Sequence, residues 1–135
     1  MIRIAVVGDI GSGKSYVAKQ FGFPVFNADL EVTKIYRSNR LCFKKIKKTL
    51  PKYFSSFPIK KNEITKAILE KNNNLKKITR IIHPEVRRKM NIFLRKNKKR
   101  DIVVLDIPLL LENRLNKKKD VLIFIDAKKS EILKR

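Results

Sequence analysis

The stretch VVGDIGSGKS, residues 6 to 15, constrains this chain's fold more than any other. Gly8 to Ser15 satisfies the pattern GxxxxGK followed by Ser or Thr, with Gly11 and Ser12 inside the loop and Gly13, Lys14 and Ser15 closing it. An apolar run, Ile2 to Val7, precedes it, and Val17, Ala18 and Phe21 follow at helical spacing. A strand, a glycine-rich turn and a helix in that order form a phosphate-binding loop. The glycines let successive N–H groups point at phosphate oxygens, and the helix start adds partial positive charge. In that setting Lys14 would reach the β- and γ-phosphates of ATP, Ser15 would ligate Mg²⁺, and the binding segment would run on to Tyr16.

Three further short apolar runs read as strands: Pro24 to Phe26, Ile102 to Leu105 and Val121 to Ile125. Runs rich in Val and Ile with little polar alternation fit a parallel sheet covered by helices on both faces, so together with the loop the expected class is an α/β P-loop NTPase fold. Each run is followed by a polar residue or glycine: Gly8, Asn27 and Asp29, Asp106, and Asp126. Ligands of open α/β sheets bind beyond the carboxyl ends of the strands, so these positions can converge on one site. Asp106 has the form of an acidic residue beside a metal ion. Between the second and third runs, apolar residues recur at helical steps from Leu30 to Leu94. The reading is one domain over residues 1–135, with a core of 1–29 and 101–135 and a helical, substrate-binding insertion over about 30–100. Breaks are expected at Pro51, Pro58 and Asn72 to Asn74, and a new helix at Pro84, with His83 just before it.

The chain has 135 residues and carries 34 Lys and Arg against 12 Asp and Glu, a net charge of +22. Such a field attracts polyanions. The excess is mostly lysine, scattered along the chain with abundant Asn and Ile, whose codons are rich in A and T. Nucleotide bias therefore accounts for it, and no specific nucleic-acid partner is expected. Cys42 is the only cysteine, which excludes an internal disulfide and a cysteine metal site. No apolar run reaches the length of a membrane span, and MIRIAVVG is too short for a secretory leader, so the expected location is the cytoplasm without membrane association.

The acceptor must be read outside the loop. PVFNAD carries Asn27 and Asp29, IIHPEVRRKM carries His83 and Arg87, and DIPLLLE runs from Asp106 to Glu112. With the loop, these segments resemble the dephospho-CoA kinase family in order and spacing. That family has GGIGSGKST, a DAD segment, IxHPxxR and DIPLLFE, against GDIGSGKSY, NAD, IIHPEVR and DIPLLLE here. The resemblance implies phosphorylation of the 3′-hydroxyl of dephospho-CoA by ATP with Mg²⁺, giving coenzyme A. It makes Asp29 the general base, Lys14 the catalytic cation, and His83, Arg87 and Asp106 contacts on the substrate side. Independently, Arg87, Arg88 and Lys89 in the first turns of a helix would oppose its dipole, which a bound phosphate would relieve.

This chain departs from the family pattern at Asn27, Asp9 and Tyr16, none of which removes a core catalytic group. The family also continues into an arginine-bearing lid, a last strand and an adenine loop. Here only Arg135 matches the start of that region, so the lid and last strand are expected to be missing. The alternatives are another small-molecule or nucleoside monophosphate kinase of this fold, and a non-catalytic nucleotide-binding remnant.

Overall fold

In the computed structural model, which describes residues 1–8, 13–108 and 121–125, the sheet is built around strand β1, Ile2–Gly8. Ala5, Val6 and Val7 in it are fully buried. That burial on both faces explains the lack of polar alternation. The other strands are β2 (Val25–Asn27), β3 (Ile102–Pro108) and β4 (Val121–Ile125). They pair in the order β2-β3-β1-β4, all parallel.

Helix α1, Lys14–Gln20, starts at Gly13, whose φ of 89° is left-handed. An L side chain there would be strained, so the glycine is required by the turn. Ala18 of α1 packs with Val6 and Val104, and Ile4, Val17, Phe21 and Val25 border that cluster. The register aligns Ile4 with Val104 and Val25, and Val6 with Asp106 and Asn27. Residues in register share a face, so Asp106 and Asn27 are the polar continuation of the face covered by α1.

β3 runs further than expected. Asp106 lies inside the strand, because Ile107, fully buried on the opposite face, carries pairing on to Pro108 beside Gly8.

The chain divides into two compact units, residues 1–29 with 87–135, and residues 30–86. Helix α2 is Ala28–Ser38, α3 Arg40–Thr49, α4 Lys61–Glu70 and α5 Asn72–Lys96. Within 30–86, Asn39 caps α3 by accepting the Cys42 N–H at 2.9 Å. The Glu63 carboxylate accepts the Lys60 N–H at 3.0 Å at the start of α4. Buried Asn74 donates to the Ala67 carbonyl at 2.8 Å, joining the end of α4 to the start of α5. Ile35, Ile46, Phe54, Ile78 and Val86 are each at most 1% exposed.

Pro84 does not begin a helix; it lies inside α5. An interior proline costs about 3 kcal/mol. Against that stand Ile78, Ile82, Val86 and Met90, all buried at steps of four residues, each contributing about 1.5–3 kcal/mol. Pro84 and Arg80 are exposed, so water can reach the carbonyl that loses its N–H partner. The apolar stripe prevails over the proline. As a consequence, Arg87, Arg88 and Lys89 sit in the middle of α5 and not in its first turns, so the helix-dipole argument for an anion there falls away.

Candidate active site

The geometry of β1, α1 and β3 places four chemically active side chains together. Lys14 opens α1, directly after the left-handed turn at Gly13. Its Nζ donates to Asp106 Oδ1 at 2.7 Å and to Asp29 Oδ2 at 2.8 Å. Ser15 Oγ donates to Asp106 Oδ2 at 2.8 Å. Each carboxylate oxygen of Asp106 therefore has a donor. β3 delivers Asp106 on the face under α1, while Asp29 is the second residue of α2, immediately after β2.

Burial separates the two acids. The Lys14 side chain is 4% exposed and that of Asp106 1%, whereas Asp29 is 42% exposed. A buried carboxylate without a partner would cost several kcal/mol, so Asp106 depends on the ammonium of Lys14. Burial acts to lower the Lys14 pKa, but the hydrogen bonds and charges of Asp106 and Asp29 together outweigh it and hold the ammonium above its ordinary value. Lys14 is thus a fixed positive charge at physiological pH.

Ser15 Oγ and Asp106 Oδ2 are adjacent hard oxygen donors, the type that suits a small divalent cation. No group of three or more His, Cys, Asp or Glu suited to a metal occurs among the described residues. The remaining ligands of such an ion would come from water and from a bound phosphate chain.

Of the residues singled out in the sequence, Lys14, Ser15, Asp29 and Asp106 form this cluster, next to Gly13. Gly8 is buried at the end of β1, and Tyr16 is 58% exposed on α1. Gly11 and Ser12 lie outside the described residues, as do Asp9, Asp126, Arg135 and the segment Leu109 to Glu112. His83 is buried within residues 30–86, and Arg87 is exposed on α5. Sequence reasoning had aimed Lys14 at phosphates alone and missed its double pairing with carboxylates. Asn27, among the strand-end positions expected to converge, stands in register with Asp106.

A family model described as Dephospho-CoA kinase matches residues 2–135. A protein named Dephospho-CoA kinase from Wolbachia sp. subsp. Brugia malayi (strain TRS) is 36% identical over 129 residues, which cover 92% of this chain and 66% of that protein. One of the same name from Zymomonas mobilis subsp. mobilis is 30% identical over 130 residues, covering 94% and 66%. Among solved structures, TT1252 from Thermus thermophilus superposes with a TM-score of 0.66 at 26% identity, covering 92% of this chain and 64% of the other. The dephospho-CoA kinase from Campylobacter jejuni gives a TM-score of 0.65 at 22% identity, covering 90% and 64%, a likeness of fold. The chain spans 66% of the length of these relatives.

Proposed function

The chain belongs to the dephospho-CoA kinase family, and on that premise we propose that it transfers the γ-phosphoryl group of ATP to the 3′-hydroxyl of dephospho-CoA, yielding ADP and coenzyme A. The observation that carries this reading is the placement of one buried ammonium, Lys14, between two carboxylates of different exposure.

The difference in exposure supports a division of roles. Asp29, 42% exposed, can be reached by an acceptor hydroxyl; Asp106, 1% exposed, cannot. Asp29 therefore takes the proton of the 3′-hydroxyl as its oxygen forms a bond to the γ-phosphorus and the bond to the β–γ bridging oxygen breaks. Asp106 anchors Lys14 and Ser15. When the triphosphate enters the loop, Lys14 exchanges a carboxylate for phosphate oxygens and neutralises their charge. Phosphoryl transfer depends mainly on positioning and charge, so one oriented carboxylate is a sufficient acid–base apparatus.

Mg²⁺ fits beside Ser15 Oγ and Asp106 Oδ2, and when bound it would offset the negative charge of the β- and γ-phosphates. We assign His83 and Arg87 to the acceptor side, with exposed Arg87 as the cation for its phosphates. No helix among the described residues is long and apolar enough to cross a membrane, and we place the reaction in the cytoplasm.

The test is chromatographic. The chain is incubated with Mg²⁺, ATP and a panel of dephospho-CoA, AMP and CMP, with Lys14→Ala as the blank. Coenzyme A and ADP in equal amounts, formed only with Lys14 present, are the expected result. Transfer to a nucleoside monophosphate in preference, or no coenzyme A at all, contradicts the proposal.

A further inference from the structure

Nucleotide bias accounts for how many lysines the chain has but not for where carboxylates are missing. From Val32 to Asn62 there are ten Lys and Arg and no Asp or Glu. α3 lies in that stretch, and Arg40, Lys44, Lys45, Lys47 and Lys48 make up half of its ten residues. All five are exposed, while Cys42 and Ile46 are buried. At about 100° per residue the cations share one outward arc, and Arg40, Lys44 and Lys48 form a row with steps of about 6 Å.

Two lysines of residues 30–86 outside α3 pair with carboxylates, Lys34 with Glu31 at 3.4 Å and Lys52 with Glu70 at 2.7 Å. Among the described residues, no carboxylate is in ion-pair range of the five α3 cations. Like charges at steps of three and four residues destabilise a helix, and a bound polyanion relieves that repulsion.

Two aromatic rings border the same surface. The Arg40 guanidinium stands 4.8 Å over the Phe57 ring and Lys47 Nζ 5.9 Å from that of Phe43. The two half-buried rings meet edge-on at 5.5 Å. Cations that track a backbone beside rings that can stack bases are the parts of a surface for single-stranded nucleic acid. A lipid surface fits less well. A helix lying in a membrane needs its apolar face free, whereas here that face is buried and Leu41 is the one apolar residue on the outward arc.

We infer that the exposed face of α3 is a docking surface for single-stranded nucleic acid, held through its phosphates by Arg40, Lys44, Lys45, Lys47 and Lys48 without sequence readout. The surface shares no residue with the phosphate loop, so the inference stands apart from the kinase reading.

The probe is a fluorescent oligouridylate of about 20 nucleotides, followed by anisotropy with the full chain from about 50 to 300 mM salt. Each phosphate contact contributes about 0.7 to the slope of log affinity against log salt. The variant K44Q/K45Q/K47Q/K48Q is expected to lower that slope by about 2.8 and the affinity by at least about tenfold. A charge-matched variant elsewhere, K96Q/K98Q/K99Q/R100Q, is expected to change the slope much less, with circular dichroism confirming that both variants are folded. Equal losses in the two variants would mean that net charge alone binds, and would overturn the inference. So would an unchanged slope in the α3 variant, or preference for phosphatidylserine-containing vesicles over the oligonucleotide.

Discussion

Lys14 and the lysines of α3 are the same side chain in opposite settings. Lys14 is 4% exposed and held by two carboxylates; Lys44, Lys45, Lys47 and Lys48 are exposed and have no carboxylate in ion-pair range among the described residues. The first arrangement gives one charge a fixed position, as chemistry at a phosphate requires. The second gives many charges a common direction and a loose position, which suits a long anion and contributes little to stability. Charge counted along the sequence cannot distinguish the two, because the difference lies in burial and in partners.

Removing Lys14 should have the largest effect on stability. Lys14→Ala leaves Asp106 buried without its counter-ion, so urea unfolding should show a loss of about 3–5 kcal/mol. Lys44→Ala, the matched change on α3, should stay within about 0.5 kcal/mol. A similar loss in both would erase the contrast.

Pro84→Ala tests the continuity of α5 and should rank next. If the helix runs through residue 84, the substitution restores an N–H and removes a clash, and unfolding should show a gain approaching about 3 kcal/mol. A neutral or negative effect would return Pro84 to a helix start.

The smallest effect concerns pH. Burial, with a lesser contribution from Cys42, pushes the Tyr36 hydroxyl up to about 12 from 10.0. Below pH 10 the hydroxyl is protonated in both states, so its contribution to stability is complete. Between 10 and 12 the unfolded state ionises first, and that contribution falls as pH rises. Tyr36→Phe should make the alkaline loss of stability shallower and remove one late step from the absorbance titration at the phenolate band. An unchanged profile would place Tyr36 in water.

Strand β1 and helix α1 were legible because short-range rules decide them. The loop had to follow a strand and precede a helix. Three features were not legible. In the sequence the β3 run stops at its first charge, because the burial of Ile107 on the far face comes from neighbours that are distant in sequence. The local preference of Pro84 is for a helix start, and only the packing of Ile78, Ile82, Val86 and Met90 prevails over it. The pairing of Lys14 with both Asp29 and Asp106 spans 15 and 92 residues and has no local signature.

The division of labour between the two acids is the central claim, and Asp29→Asn tests it most directly. Turnover with dephospho-CoA and the affinity for ATP are measured on the same preparation. Turnover should fall about 10²–10⁴-fold while ATP affinity changes only slightly, because the amide keeps the shape of the site but cannot take the proton. Equal losses in both would make Asp29 a nucleotide ligand and contradict its role as the base.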